Sequence, residues 1–155
     1  PLCGECVQQN DCVAFKKGSI SKLPVKEKTL QKRNRWLYYF LIEVDGSIYI
    51  RKRTEKDIWQ NLHEFVLFEA QAPVSIPFQK HSFLKQLFHG GVYEISHISK
   101  MYRQLLTHQN IHGQFILIRA NTELVTKGYI LVKKDTLSRY AFPGFINQFL
   151  SETSV

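Results

Sequence analysis

Three thiols near the start of the chain stand at a spacing that suits metal chemistry. Cys3, Cys6 and Cys12 read C-x2-C-x5-C, and thiolates this close in sequence can wrap one metal centre. A tetrahedral zinc or a cubane iron–sulfur cluster needs four ligands, and the first histidine in the chain is the distant His63. Two readings stand: three free thiols, or three members of a ligand set whose fourth lies upstream. The opening at Pro1 rather than Met favours the second. A second stretch with a chemical character follows. Lys16, Lys17, Lys22, Lys26, Lys28, Lys32, Arg33 and Arg35 face a single acid, Glu27, so +7 of the chain's net +8 sits between residues 16 and 35. Such a run is either a solvated connector or a strap along phosphates, adding salt-sensitive affinity without sequence choice.

The elements that must position these groups follow from pattern. At 155 residues, 44% hydrophobic and 13% aromatic, the chain holds one domain with a real core and a tail, which excludes disorder throughout. Its longest apolar run, Trp36–Ile42, is far short of the ~20 residues that span a bilayer, and no basic start with an apolar stretch marks a signal peptide. Three segments emerge: a cysteine-bearing segment at 1–15, a basic linker at 16–35 with Gly18 and Pro24, and a folded domain at 36–155. In that domain Trp36–Val44 and Ser47–Lys52 read as strands about an Asp45-Gly46 hairpin turn. Ile58–Phe65 reads as a loop or short helix. Gln79–Phe88 reads as a helix ended by Gly90-Gly91, because Phe83, Leu84, Leu87 and Phe88 keep helical spacing. Strands are expected at Val92–Ile98, Lys100–Leu105, Ile111–Arg119 and Tyr129–Lys133, and a closing helix from Pro143 to Leu150. The fold class is α+β, with a mixed or antiparallel sheet and flanking helices. Trp36 and Trp59 read as core residues, and His81 and His89 as helix-end or surface residues.

Three stretches carry a resemblance. Cys3 to Cys12 is similar to the end of the iron–sulfur loop of the endonuclease III and MutY glycosylase family, C-x6-C-x2-C-x5-C. Asp57-Ile58-Trp59-Gln60-Asn61-Leu62-His63-Glu64-Phe65 resembles the "GLWGGLWEFP" stretch of the MutY C-terminal domain, and Tyr140-Ala141-Phe142-Pro143 its "YAFP" stretch. Val66 departs from the usual Pro, and the first cluster cysteine is missing. A basic linker before a β-rich domain selects the adenine DNA glycosylases, MutY, over endonuclease III. Together the motifs cover essentially the whole chain.

The resemblance implies a MutT-like, Nudix fold that recognises 8-oxoguanine opposite adenine in duplex DNA during base excision repair. It implies a [4Fe-4S] cluster in the full-length protein, incomplete here, with Cys3, Cys6 and Cys12 as ligands. It also implies an absent N-terminal catalytic domain as partner, a monomer, and a place at the bacterial nucleoid in the cytoplasm, away from membranes. Alone, the chain is expected to cleave nothing. Lys22, Lys26, Lys28, Lys32, Arg33 and Arg35 would contact phosphate, and Arg51, Lys52 and Arg53 are weaker candidates. Oxidation at C8 turns guanine N7 from an acceptor into an N–H donor, so a reader must place an acceptor there. MutY does so with a Phe-Ser-His loop. Leu106-Thr107-His108 and Ile95-Ser96-His97 both resemble it. The first fits the distance to Ala141 better, with Leu106 as wedge, Thr107 as hydroxyl and His108 contacting phosphate or positioning the loop. Without the resemblance, each is a polar strand end.

Two alternatives come from other classes. A Nudix pyrophosphatase uses G-x5-E-x7-R-E-U-x-E-E-x-G-U, whose carboxylates hold divalent metal. The comparable helix here, Gln79–Phe88, carries Lys80 and Lys85 and no acid. The other alternative is a scaffold that binds only the missing partner domain.

Overall fold

The computed structural model describes residues 1–25, 32–74, 77–78, 81–121, 124 and 127–153. The chain divides into two compact units, Pro1–Gln31 and Lys32–Val155. The first holds a 3-10 turn at Cys3–Glu5, a short helix α1 (Val13–Lys16) and a 3-10 turn at Ile20–Lys22, none of which buries a residue. The basic stretch is therefore partly ordered into short turns where a plain linker was expected.

Among the described residues, the second unit is a seven-stranded mixed sheet with a helix on each face. Its strands are β1 (Arg33–Val44), β2 (Ser47–Lys52), β3 (His63–Ala70), β4 (Tyr93–Ile98), β5 (Tyr102–Leu105), β6 (Gln109–Ala120) and β7 (Ile130–Lys133). The spatial order is β4-β6-β1-β3-β2-β7, and β5 also pairs with β6. β1 and β6 run parallel from Arg33↔Gln109 to Glu43↔Arg119, and the other pairings are antiparallel. From Leu37 to Ile42, β1 is buried on both faces, which is why its sequence reads as an unbroken apolar run.

Leu37, Tyr39 and Leu41 face one side with Phe65 and Phe115, and meet Phe145, Ile146 and Phe149 of helix α3 (Gly144–Glu152). Tyr38, Phe40 and Ile42 face the other with Ile116 and Ile118, and meet Leu84 and Phe88 of helix α2 (Ser82–Phe88). The α2 termini match the reading of the two lone histidines. His81 caps the helix, its Nδ1 accepting from the Phe83 N–H at 3.2 Å, and His89 closes it in the left-handed region at φ 47°. Among the described residues no helix is long and apolar enough to cross a membrane.

Most elements differ from the sequence reading by a few residues at an end, and four differences have a physical reason. β1 begins at Arg33 instead of Trp36, because the parallel partner β6 runs alongside from Gln109 and extends the pairing into polar residues. The stretch read as a loop or short helix at 58–65 ends in β3, which inserts between the diverging β1 and β2. Its pattern was obscured by Glu64, a carboxylate with no exposed surface. Pro143 stands at the N-cap of α3 rather than in its first turn. A 3-10 segment at Lys134–Arg139, absent from the sequence reading, joins β7 to the "YAFP" stretch. The Asp45-Gly46 turn is as expected, with φ of 48° and 72°, the combination a two-residue hairpin requires.

Gly113 of β6 lies beneath the Phe145 ring, and a Cβ built there would overlap that ring. Replacing Gly113 with Ala should therefore destabilise the domain by about 1–3 kcal/mol through overpacking. Urea unfolding measures it, and Phe145→Leu, which shortens the overlapping side chain, should recover part of the loss in the double variant.

Candidate functional site

The favoured hydroxyl-histidine stretch forms the turn between β5 and β6. Leu105 pairs with Asn110, and the Leu106 N–H donates to the Gln109 carbonyl at 2.8 Å, leaving Thr107 and His108 exposed at the tip. The His108 carbonyl accepts from the Arg33 N–H at 3.0 Å, which fastens the tip to the first residue of β1. Thr107 Oγ1 has no hydrogen-bond partner among the described residues. In the competing stretch, the Ser96 hydroxyl donates to the Leu117 carbonyl at 3.3 Å beside an irregularity in β4. The hydroxyl free to meet a ligand is that of Thr107. Leu106 does not fit the wedge role, because it is half-buried against the α3-side core; the apolar group exposed at the turn is its neighbour Leu105, at 73%.

Arg35 requires a correction. Read as a phosphate contact, it is a buried residue with all five guanidinium N–H groups engaged. Nε donates to Glu69 at 2.8 Å, Nη1 to Asp57 at 2.9 Å and Gln109 at 3.1 Å, and Nη2 to Asp57 at 2.8 Å and Glu69 at 2.7 Å. No donor remains for phosphate. Gln109 adjoins His108, so Arg35 instead holds the base of the turn. The network continues through Asp57 to buried Arg53, from Arg53 to Glu64, and from Glu64 to Arg51 at 2.8 Å, which removes Arg51 and Arg53 as phosphate ligands too. Arg35 has its pKa pushed up, the bond to Glu69 leading. Asp57 is held below the ordinary carboxylate value, chiefly by its bond to Arg35.

The two motif stretches of the folded unit meet. The His63 N–H donates to the Ala141 carbonyl at 2.7 Å, and the Phe142 ring stacks on Phe65 with centroids 5.2 Å apart. Trp59 takes φ 61° and stacks on Phe145 with centroids 5.9 Å apart, lining the core.

Of the basic residues read as phosphate contacts, Lys32 and Arg33 are exposed beside the turn, and Arg33 approaches Glu69 only at 4.0 Å. Lys22 is exposed in the first unit, while Lys26 and Lys28 lie outside the described residues. Lys52 is exposed at the end of β2. Cys3, Cys6 and Cys12 are free thiols, and no three metal-binding side chains gather among the described residues. Three thiols do not by themselves satisfy a cubane's four-ligand requirement.

The sequence reading missed a group on the same end of the sheet. Asn34, Trp36, Arg103, Leu105, Asn110, Ile111 and His112 line an open pocket of about 350 Å³. Trp36 and His112 stack at 5.1 Å with planes 11° apart. Their signal is cross-strand register, which one sequence does not display. Burial, and then the charge of Arg103, lower the His112 pKa below the ordinary 6.5.

A NUDIX domain family model matches residues 38–152. The adenine DNA glycosylase of Buchnera aphidicola subsp. Schizaphis graminum is 31% identical over 71 residues, 46% of this chain and 20% of the relative. That of Buchnera aphidicola subsp. Acyrthosiphon pisum is 30% identical over 71 residues. The match spans about a fifth of the length of these curated relatives. Among solved structures, a MutT protein from Methanosarcina mazei Go1 aligns with TM-score 0.59 and 14% identity over 80% of this chain and 95% of that one. The C-terminal domain of mouse MUTYH, solved in complex with human PCNA, aligns with TM-score 0.52 and 10% identity over 76% and 85%. These structures share the fold.

Three outcomes test the site's geometry. Arg35→Lys keeps the charge but has too few donors for the fork. It should lower stability by about 2 kcal/mol, the scale of a lost charge-assisted bond, and speed exchange of the Leu106 amide. Because the Asp57 pKa is depressed in the folded state, its contribution is present above the ordinary 3.8 and is lost as pH falls through the folded value; Asp57→Asn should flatten that acid limb. In a histidine NMR titration, His112 should show its midpoint below 6.5, and Arg103→Gln should move it part of the way back.

Proposed function

The chain belongs to the NUDIX domain family, and we propose that its folded unit is the lesion-reading domain of an adenine DNA glycosylase, recognising 8-oxoguanine opposite adenine in duplex DNA. The observation that carries this reading is the unpartnered Thr107 hydroxyl at an exposed turn, flanked by the exposed cations Lys32 and Arg33. A hydroxyl can accept from the N7–H that only the oxidised base presents, and donate elsewhere. Cations alongside supply the phosphate grip that sets register without reading sequence. The names of the curated relatives support the same parentage.

Binding, rather than pyrophosphate hydrolysis, is favoured by the composition of α2. Ser82–Phe88 carries Lys85 and no carboxylate, so this helix has nothing with which to hold a divalent metal. Adenine excision belongs to a catalytic domain beyond this chain, the proposed partner of this one. In a full-length protein Cys3, Cys6 and Cys12 would supply three thiolates of a [4Fe-4S] cluster, which needs a fourth ligand besides the three cysteines present here. The protein acts at the bacterial nucleoid.

Duplexes with 8-oxoguanine:A and G:A, titrated with the chain across a salt series, test this. The lesion duplex should bind more tightly, and Thr107→Ala should cut that preference about fivefold, roughly 1 kcal/mol for one hydrogen bond, with the salt dependence unchanged. His108→Ala should weaken both duplexes. Arg33→Ala should weaken both and lower the salt slope by about one. Equal binding to both duplexes, unmoved by Thr107→Ala, would mean the turn does not read the base.

A further inference from the structure

The pocket beside the turn contains chemistry that lesion reading by Thr107 does not use. Register places its groups in two rows across β1, β6 and β5: Trp36, His112 and Arg103 in one, Asn34, Asn110 and Leu105 in the other. All six side chains lie on the α2 face of the sheet, yet no residue of α2 lines the pocket. Farther along the same face α2 closes over the sheet, with Phe83 stacked on Phe40 at 5.3 Å. The Trp36–His112 pair is left half-buried, and Arg103 is exposed and in no ion pair among the described residues. Beneath, Asn110 Nδ2 donates to Asn34 Oδ1 at 3.1 Å, while Asn110 Oδ1 is buried without a donor.

We propose that this pocket is a nucleotide subsite for single-stranded DNA: one unstacked base packs against the Trp36–His112 pair and Leu105, and its phosphate lies on Arg103. The proposal rests on the reading that this end of the sheet faces DNA. Three features specify the occupant. Stacked rings offer an apolar face that any base can use, and base–aromatic stacking is the sequence-tolerant part of single-strand binding. An unpaired guanidinium, with Lys32 and Arg33 at the same sheet end, complements a phosphate track. A volume of about 350 Å³ falls at the small end of ligand pockets, so one nucleotide, rather than a paired stack, is the unit that fits.

The occupant thus differs from that of the turn. Thr107 meets a base within a duplex, whereas the pocket holds a nucleotide freed from pairing, from a strand end or a locally opened stretch. Neutral His112 suits stacking better than a cation would, and Arg103 supplies the charge.

The chain has two tryptophans, and Trp59→Phe leaves Trp36 as the sole indole. In that background a short oligothymidylate should quench Trp36 fluorescence, whereas an abasic oligomer of equal length should bind with salt sensitivity and without quenching. In the unaltered chain, the same oligothymidylate should shift the His112 ring resonances, which checks the result independently of the Trp59 change. His112→Ala should weaken oligothymidylate binding about tenfold, the scale of one lost stack, Arg103→Ala should weaken it about tenfold through one lost charge-assisted phosphate contact, and both should leave lesion preference on duplexes intact. Equal responses to the abasic oligomer and oligothymidylate would overturn the proposal, as would unshifted His112 resonances at saturation. Lesion preference on duplexes reports the turn and base-dependent quenching reports the pocket, so either reading can fail alone.

Discussion

Arg35 is the point on which the candidate surface depends. Its guanidinium ties Glu69 on β3, Asp57 in the β2–β3 connection and Gln109 at the start of β6 to β1. A buried cation is costly unless every donor is met, and here all five are. A fork of that shape is satisfied in few arrangements, so it fixes where β6 begins and hence where the β5–β6 turn projects. The Arg33–His108 backbone bond then secures the tip. The same network, continued through Arg53 and Glu64, holds the connection whose Trp59 packs on Phe145.

The sheet divides labour between its faces. On the α3 side, aromatic packing is dense: Phe115 and Phe149 stack at 4.0 Å, and Gly113 makes room for Phe145. That side is the rigid mount. On the other side α2 covers Phe40 and leaves the row at Trp36 open to solvent. Precise presentation of a hydroxyl or an aromatic pair is easier from strands held by a packed core than from a long loop. A short turn on two paired strands has that quality.

Charge tells a similar story of selection. The sequence concentrates its basic excess between residues 16 and 35, but the fold gives those residues different tasks. Arg35 is consumed internally, Arg33 and Lys32 remain at the surface by the turn, and Arg103, from outside that stretch, joins them. Net charge sets the class of partner; which cations reach it is a matter of pairing.

Much of the fold was legible because its signals are local. The hairpin at Asp45-Gly46, the runs of β1 and β6, the helical spacing at Phe83–Phe88 and the α+β class follow from turn chemistry and periodicity within a few residues. The thiol spacing and the Leu106-Thr107-His108 stretch were likewise visible as residues. What tertiary structure alone decided was register. Only the parallel pairing of β1 with β6 puts Trp36 beside His112, and only the pairing of β5 with β6 puts Arg103 next in line. Burial decided the rest. Glu64 hides a strand because its charge is matched by arginines distant from any local pattern, and Leu106 turns inward while Leu105 faces out. Sequence records what each residue can do; long-range pairing determines which residues remain free to do it.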